Sequence, residues 1–232
     1  MVSKPVLVEV SGIGVVRDDL FAGGTKARYI PRLFENGVAE VVYASPVEGG
    51  AQIALATVAK SLGRKATIFC AKRADPHPRT RQAHALGAKV VLVAPGYLNV
   101  VQARARAYCD ETGARLAPFG MDMPEAVGVI AEAARSLNEK PEEVWCASGS
   151  GVLARGLALA WPQARRVCVQ VGRTLAPEDV AGAEILVARL PFARPERDAP
   201  PFPSDGHYEA KAWKLCAASH GPGRVLFWNV LG

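Results

Sequence analysis

The chain has 232 residues, half of them apolar and 22% charged, with 28 lysines and arginines against 22 acidic residues. The net charge is +6, the isoelectric point is near 9.2 and the mean hydropathy is +0.09. This is enough apolar chain for a real core; the apolar runs are far too short to span a bilayer, and the five scattered cysteines, with no CxxC pair, support neither a zinc knuckle nor a thioredoxin-type site.

In chain order, Met1-Val2-Ser3-Lys4-Pro5 lacks the apolar core and cleavage pattern of a signal peptide, so a cytoplasmic location is expected. A Gly-rich turn follows, Phe21-Ala22-Gly23-Gly24-Thr25-Lys26-Ala27-Arg28, leading into an apolar helical run, Tyr29–Phe34. A lysine at a helix start faces the positive end of the dipole. Positive potential and burial both lower an amine's pKa and favour it as a nucleophile. The alternative is a surface lysine in a turn.

Val38–Ala44 reads as a strand, Gln52–Leu62 as a helix closed by Gly63, and Ala66–Ala71 as the next strand. Pro78–Leu86 is a helix closed by Gly87, Lys89–Ala94 a strand, and Val100–Thr112 a helix stopping at Gly113. Between the first strand and helix lies Glu48-Gly49-Gly50-Ala51, at the carboxyl end of a strand where α/β proteins place ligands. A plain βα turn explains its composition equally well.

The grammar repeats with helix Pro124–Leu137, strand Glu143–Cys146, helix Gly151–Ala160 and strand Arg166–Val171. Strands separated by helix-length segments predict an α/β fold with a doubly wound, mainly parallel sheet and helices on both faces. The whole chain, 1–232, reads as one compact unit with a smaller lobe around 45–115. Ala147-Ser148-Gly149-Ser150-Gly151 lies directly between a strand and a helix. There, backbone N–H groups, hydroxyls and the helix N-terminus together form a phosphate cup, though without a Walker lysine or GxGxxG spacing. After Gly172 the pattern loosens. Pro191–Pro203 is a proline-rich loop, Tyr208–Ser219 an amphipathic helix and Arg224–Asn229 a final strand. The four histidines have no metal-binding spacing, so no metal site is expected.

Taken together, these turns resemble fold type II (tryptophan synthase β-like) enzymes dependent on pyridoxal 5′-phosphate (PLP), and within them the 1-aminocyclopropane-1-carboxylate deaminase and D-cysteine desulfhydrase branch. Arg17-Asp18-Asp19 … Gly23-Gly24-Thr25-Lys26-Ala27-Arg28 is similar to that branch's R-(E/D)-D … GGNK-x-R, whose lysine carries the cofactor as a Schiff base. Gly49-Gly50-Ala51-Gln52-Ile53-Ala54-Leu55-Ala56 … Leu62-Gly63 resembles SGN-(H/T)-G-x-A-L-A … LG, and Ser148-Gly149-Ser150-Gly151 resembles the phosphate loop. The closing Gly223–Asn229 segment looks like the strand beside the pyridine ring.

The resemblance implies PLP on Lys26, its phosphate on Ser148, Gly149, Ser150 and Gly151, and Asn229 as partner of the pyridine nitrogen. Gly50 stands where the family has a ring-contacting Asn. Gly49 and Ala51 replace donors that hold a substrate carboxylate, and Tyr208 and Glu209 are substrate-side candidates. The chain is also shorter than typical relatives, which implies a trimmed small domain.

The expected activity is a lyase, deaminase or decarboxylase acting on an amine-bearing, amino-acid-like substrate, with Lys26 as catalytic base or acid. A homodimer is expected by analogy, and no membrane partner. An alternative is remodelling of an amino acid attached to a pyrimidine in phage DNA, in a host cytoplasm. The basic clusters Lys72-Arg73, Arg79–Arg81, Arg104–Arg106 and Arg165-Arg166 motivate it. A third reading is a non-catalytic binding protein on the same fold.

Overall fold

A computed structural model describes residues 3–231. The backbone divides into two compact units, one built from residues up to Arg28 and from Asp122 onward, the other from Tyr29–Met121.

The first unit opens with a hairpin of β1 (Val6–Val10) and β2 (Ile13–Arg17), paired antiparallel from Val6↔Arg17 to Val10↔Ile13. Its two-residue turn, Ser11-Gly12, has both φ angles positive (52° and 80°), the geometry that matches the twist of hairpin strands. A single helical turn, α1 (Gly24–Ala27), follows. Further on come α5 (Pro124–Arg135), β7 (Glu143–Ser148), α6 (Val152–Ala160), β8 (Arg165–Gln170), β9 (Glu184–Val187), α7 (Glu209–Ser219) and β10 (Val225–Asn229). The sheet order is β1-β2-β10-β7-β8-β9, parallel throughout except for the hairpin pair.

Alternation along these strands sorts side chains to two faces. Ile13, Val15, Trp145, Ala147, Val167, Val169, Val225 and Phe227 share one face, sealed by Phe202 and by Ala212, Trp213 and Cys216 of α7. The Trp213 ring meets Phe202 at 4.9 Å and Phe227 at 5.2 Å, both edge-on, the arrangement that aromatic quadrupoles favour. Burying Phe227 alone contributes about 2–3 kcal/mol. Helices α5 and α6 pack so closely that a Cβ on Gly156 would lie 2.4 Å from Ile130 Cγ2.

The second unit contains β3 (Glu40–Ala44), α2 (Ala51–Ser61), β4 (Lys65–Ala71), α3 (Pro78–Ala85), β5 (Lys89–Val93), α4 (Leu98–Thr112) and β6 (Arg115–Leu116). Its sheet, β5-β4-β3-β6, is wholly parallel. Val101 and Ala105 of α4 bury against Val42, Ala44, Phe69 and Val93.

The α/β class and the mainly parallel sheets are those that the alternating grammar predicts. Three local readings change. The run Tyr29–Phe34 is not an α-helix but a 3-10 turn over Ile30–Phe34, because Pro31 has no N–H to continue an α ladder. The hairpin and β9 carry no element in the sequence reading. The proline-rich loop is irregular as expected, and is tied to α7. Lys211 Nζ donates to Pro191 O at 2.9 Å, and the Phe192 ring stands edge-on to Tyr208 at 5.3 Å.

Candidate active site at the carboxyl ends of three parallel strands

Strands β2, β10 and β7 are consecutive neighbours running the same way. Their carboxyl ends therefore open on one edge of the sheet, the edge where α/β proteins bind ligands. Lys26 follows β2, Asn229 ends β10, and Ser148–Gly151 follows β7. Three segments distant in sequence thus meet on one edge.

Lys26 is the third residue of the four-residue turn α1 and is part-buried. So short a turn carries little dipole, and the expected dipole effect gives way to another cause: burial pushes the Lys26 amine below its ordinary value, opposed by the Glu209 carboxylate. Glu209 is itself 3% exposed and opens α7. The turn is held firmly. Thr25 Oγ donates to Asp18 Oδ2 at 2.6 Å and accepts from Trp228 Nε1 at 3.0 Å. Arg28 Nε donates to both Asp18 oxygens, at 2.9 and 3.0 Å, within a buried ion pair. Gly24, at φ +68°, lies so near the chain after β10 that a Cβ would sit 2.2 Å from Val230 O.

The loop after β7 is clamped from outside. Arg173 donates to Gly149 O at 3.3 Å, to Ser150 O at 3.4 Å and to Asp179 at 2.8 Å. A peptide's N–H points opposite to its C=O, so pulling these two carbonyls to one side aims the Ser150 and Gly151 amides to the other. Gly151 N–H is taken by Ser148 Oγ at 2.8 Å, while among the described residues the Ser150 and Val152 amides have no acceptor. Ser148 is 4% exposed, and by accepting from Gly151 N–H its hydroxyl braces the loop. The Tyr208 ring lies against Gly149, where a Cβ would be 3.3 Å away.

Beneath the loop, Cys146 and Cys168 face each other in register across β7 and β8. The Cys146 thiol is held protonated by its bond to Cys168, by burial and by the Glu209 charge. Cys70 and Cys216 are buried and Cys109 half-buried, in line with a packing role.

Asn229 is fully buried. Its Nδ2 donates to Pro203 O at 2.8 Å, which fixes the amide's orientation, and its Oδ1 has no partner among the described residues. A buried acceptor without a donor is costly. It is also a place for a ligand N–H.

Gly49, Gly50 and Ala51 lie in the other unit, where Gly50 precedes α2 and Ala51 is its first residue. That turn satisfies itself: Gln52 Nε2 donates to Val47 O at 2.9 Å and Gly49 O at 3.1 Å, and Ser45 Oγ to Pro46 O at 2.8 Å. It presents no side-chain donor at 49–51. Of the basic clusters, Arg165 pairs with Glu143 and Glu184, Arg166 caps backbone carbonyls, and Arg73 and Arg81 pair with Glu48 and Asp75. The clusters divide between the two units.

Two contributors escape the sequence reading. Arg173 sits two residues beyond the strand predicted at Arg166–Val171, and position at a strand's carboxyl end was the available signal. Asp18 stands inside a quoted motif, but nothing in the sequence gives its carboxylate a role.

A part-buried amine of lowered pKa, a clamped strand–loop–helix amide cup and an orphaned buried acceptor fit an aldehyde, a phosphate and a protonated ring nitrogen, the three handles of PLP. Comparison agrees. The family model described as "Pyridoxal-phosphate dependent enzyme" matches residues 22–220. Among solved structures, an ACC deaminase homologue superposes with TM-score 0.80 at 17% identity, covering 94% of this chain and 83% of that one. A threonine deaminase from Solanum lycopersicum, the processed form of isoform 2, gives 0.73 at 16% identity, with coverage of 94% and 75%. Diaminopropionate ammonia lyase from Escherichia coli gives 0.67 at 16%, with coverage of 95% and 77%. No curated protein matches. At these identities the likeness establishes the fold alone.

Proposed function

Because this chain belongs to the family of pyridoxal-phosphate dependent enzymes, we propose that it is a lyase or deaminase that acts on an amine-bearing, amino-acid-like substrate through Lys26. The observation that carries the reading is the meeting of Lys26, the 148–151 loop and the orphaned Asn229 Oδ1 on one sheet edge.

When bound, PLP supplies an electron sink for a substrate carbanion. The chain's own residues do the rest. Lys26 would hold the cofactor through its amine, and the same amine is the group that would move the proton at the substrate carbon beside the nitrogen. Its depressed pKa keeps more of that amine neutral at physiological pH than an exposed lysine would have. The Ser150 amide, oriented by the Arg173 clamp, and the Val152 amide at the N-terminus of α6 would hold the phosphate. Asn229 Oδ1 would accept the ring N–H, which would favour the protonated, more electron-withdrawing ring. The Glu209 carboxylate would raise the proton affinity of the Lys26 amine against the effect of burial, which favours an ammonium during proton transfer. Gly49 and Ala51 stand where the resembling family pattern carries carboxylate-holding side chains and have no side-chain donor, which supports a substrate whose carboxylate is masked, absent or held elsewhere.

The test is an absorbance titration with PLP, for wild type and Lys26→Ala, followed by borohydride reduction and peptide mass spectrometry. A visible band lost in the variant, and a reduced adduct on Lys26, are the expected results. A panel of amino acids, their esters and the matching amines then separates deamination, elimination and decarboxylation by product. If wild type takes up PLP but turns over none of the panel, a binding role replaces catalysis. No adduct at saturating PLP would overturn the assignment of Lys26.

A further inference from the structure

We infer that Thr25 is a positioning residue: its single hydroxyl, shared between Trp228 and Asp18, fixes where the Lys26 amine stands. The inference rests on the proposed role of Lys26 and concerns how the chain prepares it.

Thr25 is 2% exposed and directly precedes Lys26. Its hydroxyl has one proton to give and gives it to Asp18 Oδ2 at 2.6 Å; it receives one, from Trp228 Nε1 at 3.0 Å. The first bond runs back to the segment after β2, and the second runs across to β10. Asp18 also takes Arg28, two residues beyond Lys26, so the lysine is held on both sides through one carboxylate. Gly24 pressed against Val230 O adds a third attachment, to the segment that follows Asn229. The Lys26 turn, four residues long, has little intrinsic stability; these attachments define it. Only a hydroxyl can serve both ends of the Trp228–Asp18 chain. Valine copies threonine's shape but would leave Trp228 Nε1 without its acceptor and Asp18 with Arg28 alone, while serine keeps the hydroxyl and loses a methyl.

The test uses Thr25→Val, Thr25→Ser and, for the far end of the chain, Trp228→Phe, all assayed well below their melting temperatures. In protein freed of PLP, the pH dependence of Lys26 modification by an amine-specific acylating reagent is followed by peptide mass spectrometry. PLP capture is measured on the same samples by absorbance. Thr25→Val is expected to move the Lys26 midpoint up toward that of an ordinary lysine, as the amine gains water, and to weaken PLP capture about tenfold, or ~1.4 kcal/mol. Thr25→Ser should stay near wild type, and Trp228→Phe should move in the same direction as Thr25→Val.

A general loss of stability would not move the midpoint, so a lower melting temperature with an unchanged midpoint in Thr25→Val overturns the inference. If Thr25→Val does not fold, a wild-type midpoint in Trp228→Phe does the same. Failure of wild type itself to capture PLP on Lys26 would instead sink the proposed function, because the amine titration still reads Thr25 on its own.

Discussion

Gly151 offers the sharpest test of how the anion loop is built. It opens α6 at φ +89°, and a Cβ there would lie 1.9 Å from Asp179 O and 2.8 Å from Asp179 C. Gly151→Ala therefore has two costs. Left-handed backbone costs a residue with a side chain about 1–2 kcal/mol. The carbonyl cannot remain at 1.9 Å, so the loop or the 3-10 turn Pro177–Val180 must give by about 1 Å, adding roughly 1–2 kcal/mol of the kind seen in overpacked sites. The sum, ~3 kcal/mol, corresponds to roughly 6–12 °C in melting temperature for a chain of this size. Gly12→Ala is the control, because Gly12 has φ +80° with nothing within 4 Å of a Cβ. It carries the backbone cost alone, ~1 kcal/mol or roughly 2–4 °C. The assays are thermal unfolding and PLP titration by absorbance. Gly151→Ala should lose cofactor affinity as well as stability, since the displaced loop carries the Ser150 and Val152 amides. Gly12→Ala should lose stability only. Equal melting shifts in the two variants, with PLP affinity unchanged in both, would refute the reading of the loop as a tightly built cup.

Three further outcomes follow from named contacts. The Glu209 charge holds the Lys26 pKa up against burial, so Glu209→Gln should shift the pH midpoint of Lys26 acylation to lower pH; an upward shift would contradict that electrostatic reading. Glu143 is buried, which would raise its pKa, but bonds from Trp145, Arg165 and Gly221 N–H hold it below the ordinary 4.5. A depressed carboxylate stabilises the fold above its unfolded pKa and loses that contribution as pH falls through the folded one. Glu143→Gln should therefore cost ~2 kcal/mol in unfolding experiments at pH 7, with the gap from wild type narrowing below about pH 4.5. Gly156→Ala sets a clash with Ile130 against a gain in helix propensity. A net loss of ~1–2 kcal/mol, roughly 2–8 °C, is expected in a melting scan.

The parallel architecture was legible because buried strands and glycine-closed helices leave strong local marks, as in Lys65–Ala71 or in α4 ending at Gly113. The hairpin went unread: its strands are short and its first strand is half-exposed, so the apolar pattern on either side of Ser11-Gly12 is faint. Strand β9 is a four-residue edge strand with exposed Val187, and its pattern gives little to read. In the site, the order of motifs pointed to Lys26 and to the 148–151 loop. What no pattern could supply was the division of labour within the loop. Ser148 and Ser150 look equivalent in sequence. Only the fold brings the Gly151 amide to the Ser148 hydroxyl, and only the fold brings Arg173 to the loop's outer carbonyls.

The same contrast bears on what the site recognises. Around Lys26 nearly every polar group of the turn is committed: Thr25, Asp18, Arg28 and Trp228 satisfy one another, and Ser148 satisfies the loop. The exceptions are an acceptor, Asn229 Oδ1, and the donors at Ser150 and Val152. An acceptor and an amide cup, each on its own strand end, suit a ligand with an N–H at one end and an anion at the other, which describes the cofactor. In the second unit, Gln52 and Ser45 likewise spend their polar atoms on their own turn. Under the proposed function, the turn around Lys26 leaves substrate recognition to shape more than to side-chain hydrogen bonds. An amine or ester should accordingly compete with PLP-bound Lys26 at least as well as the corresponding free amino acid. Strong preference for the free acid in the substrate panel would show that a carboxylate receptor exists among groups assigned here to structure.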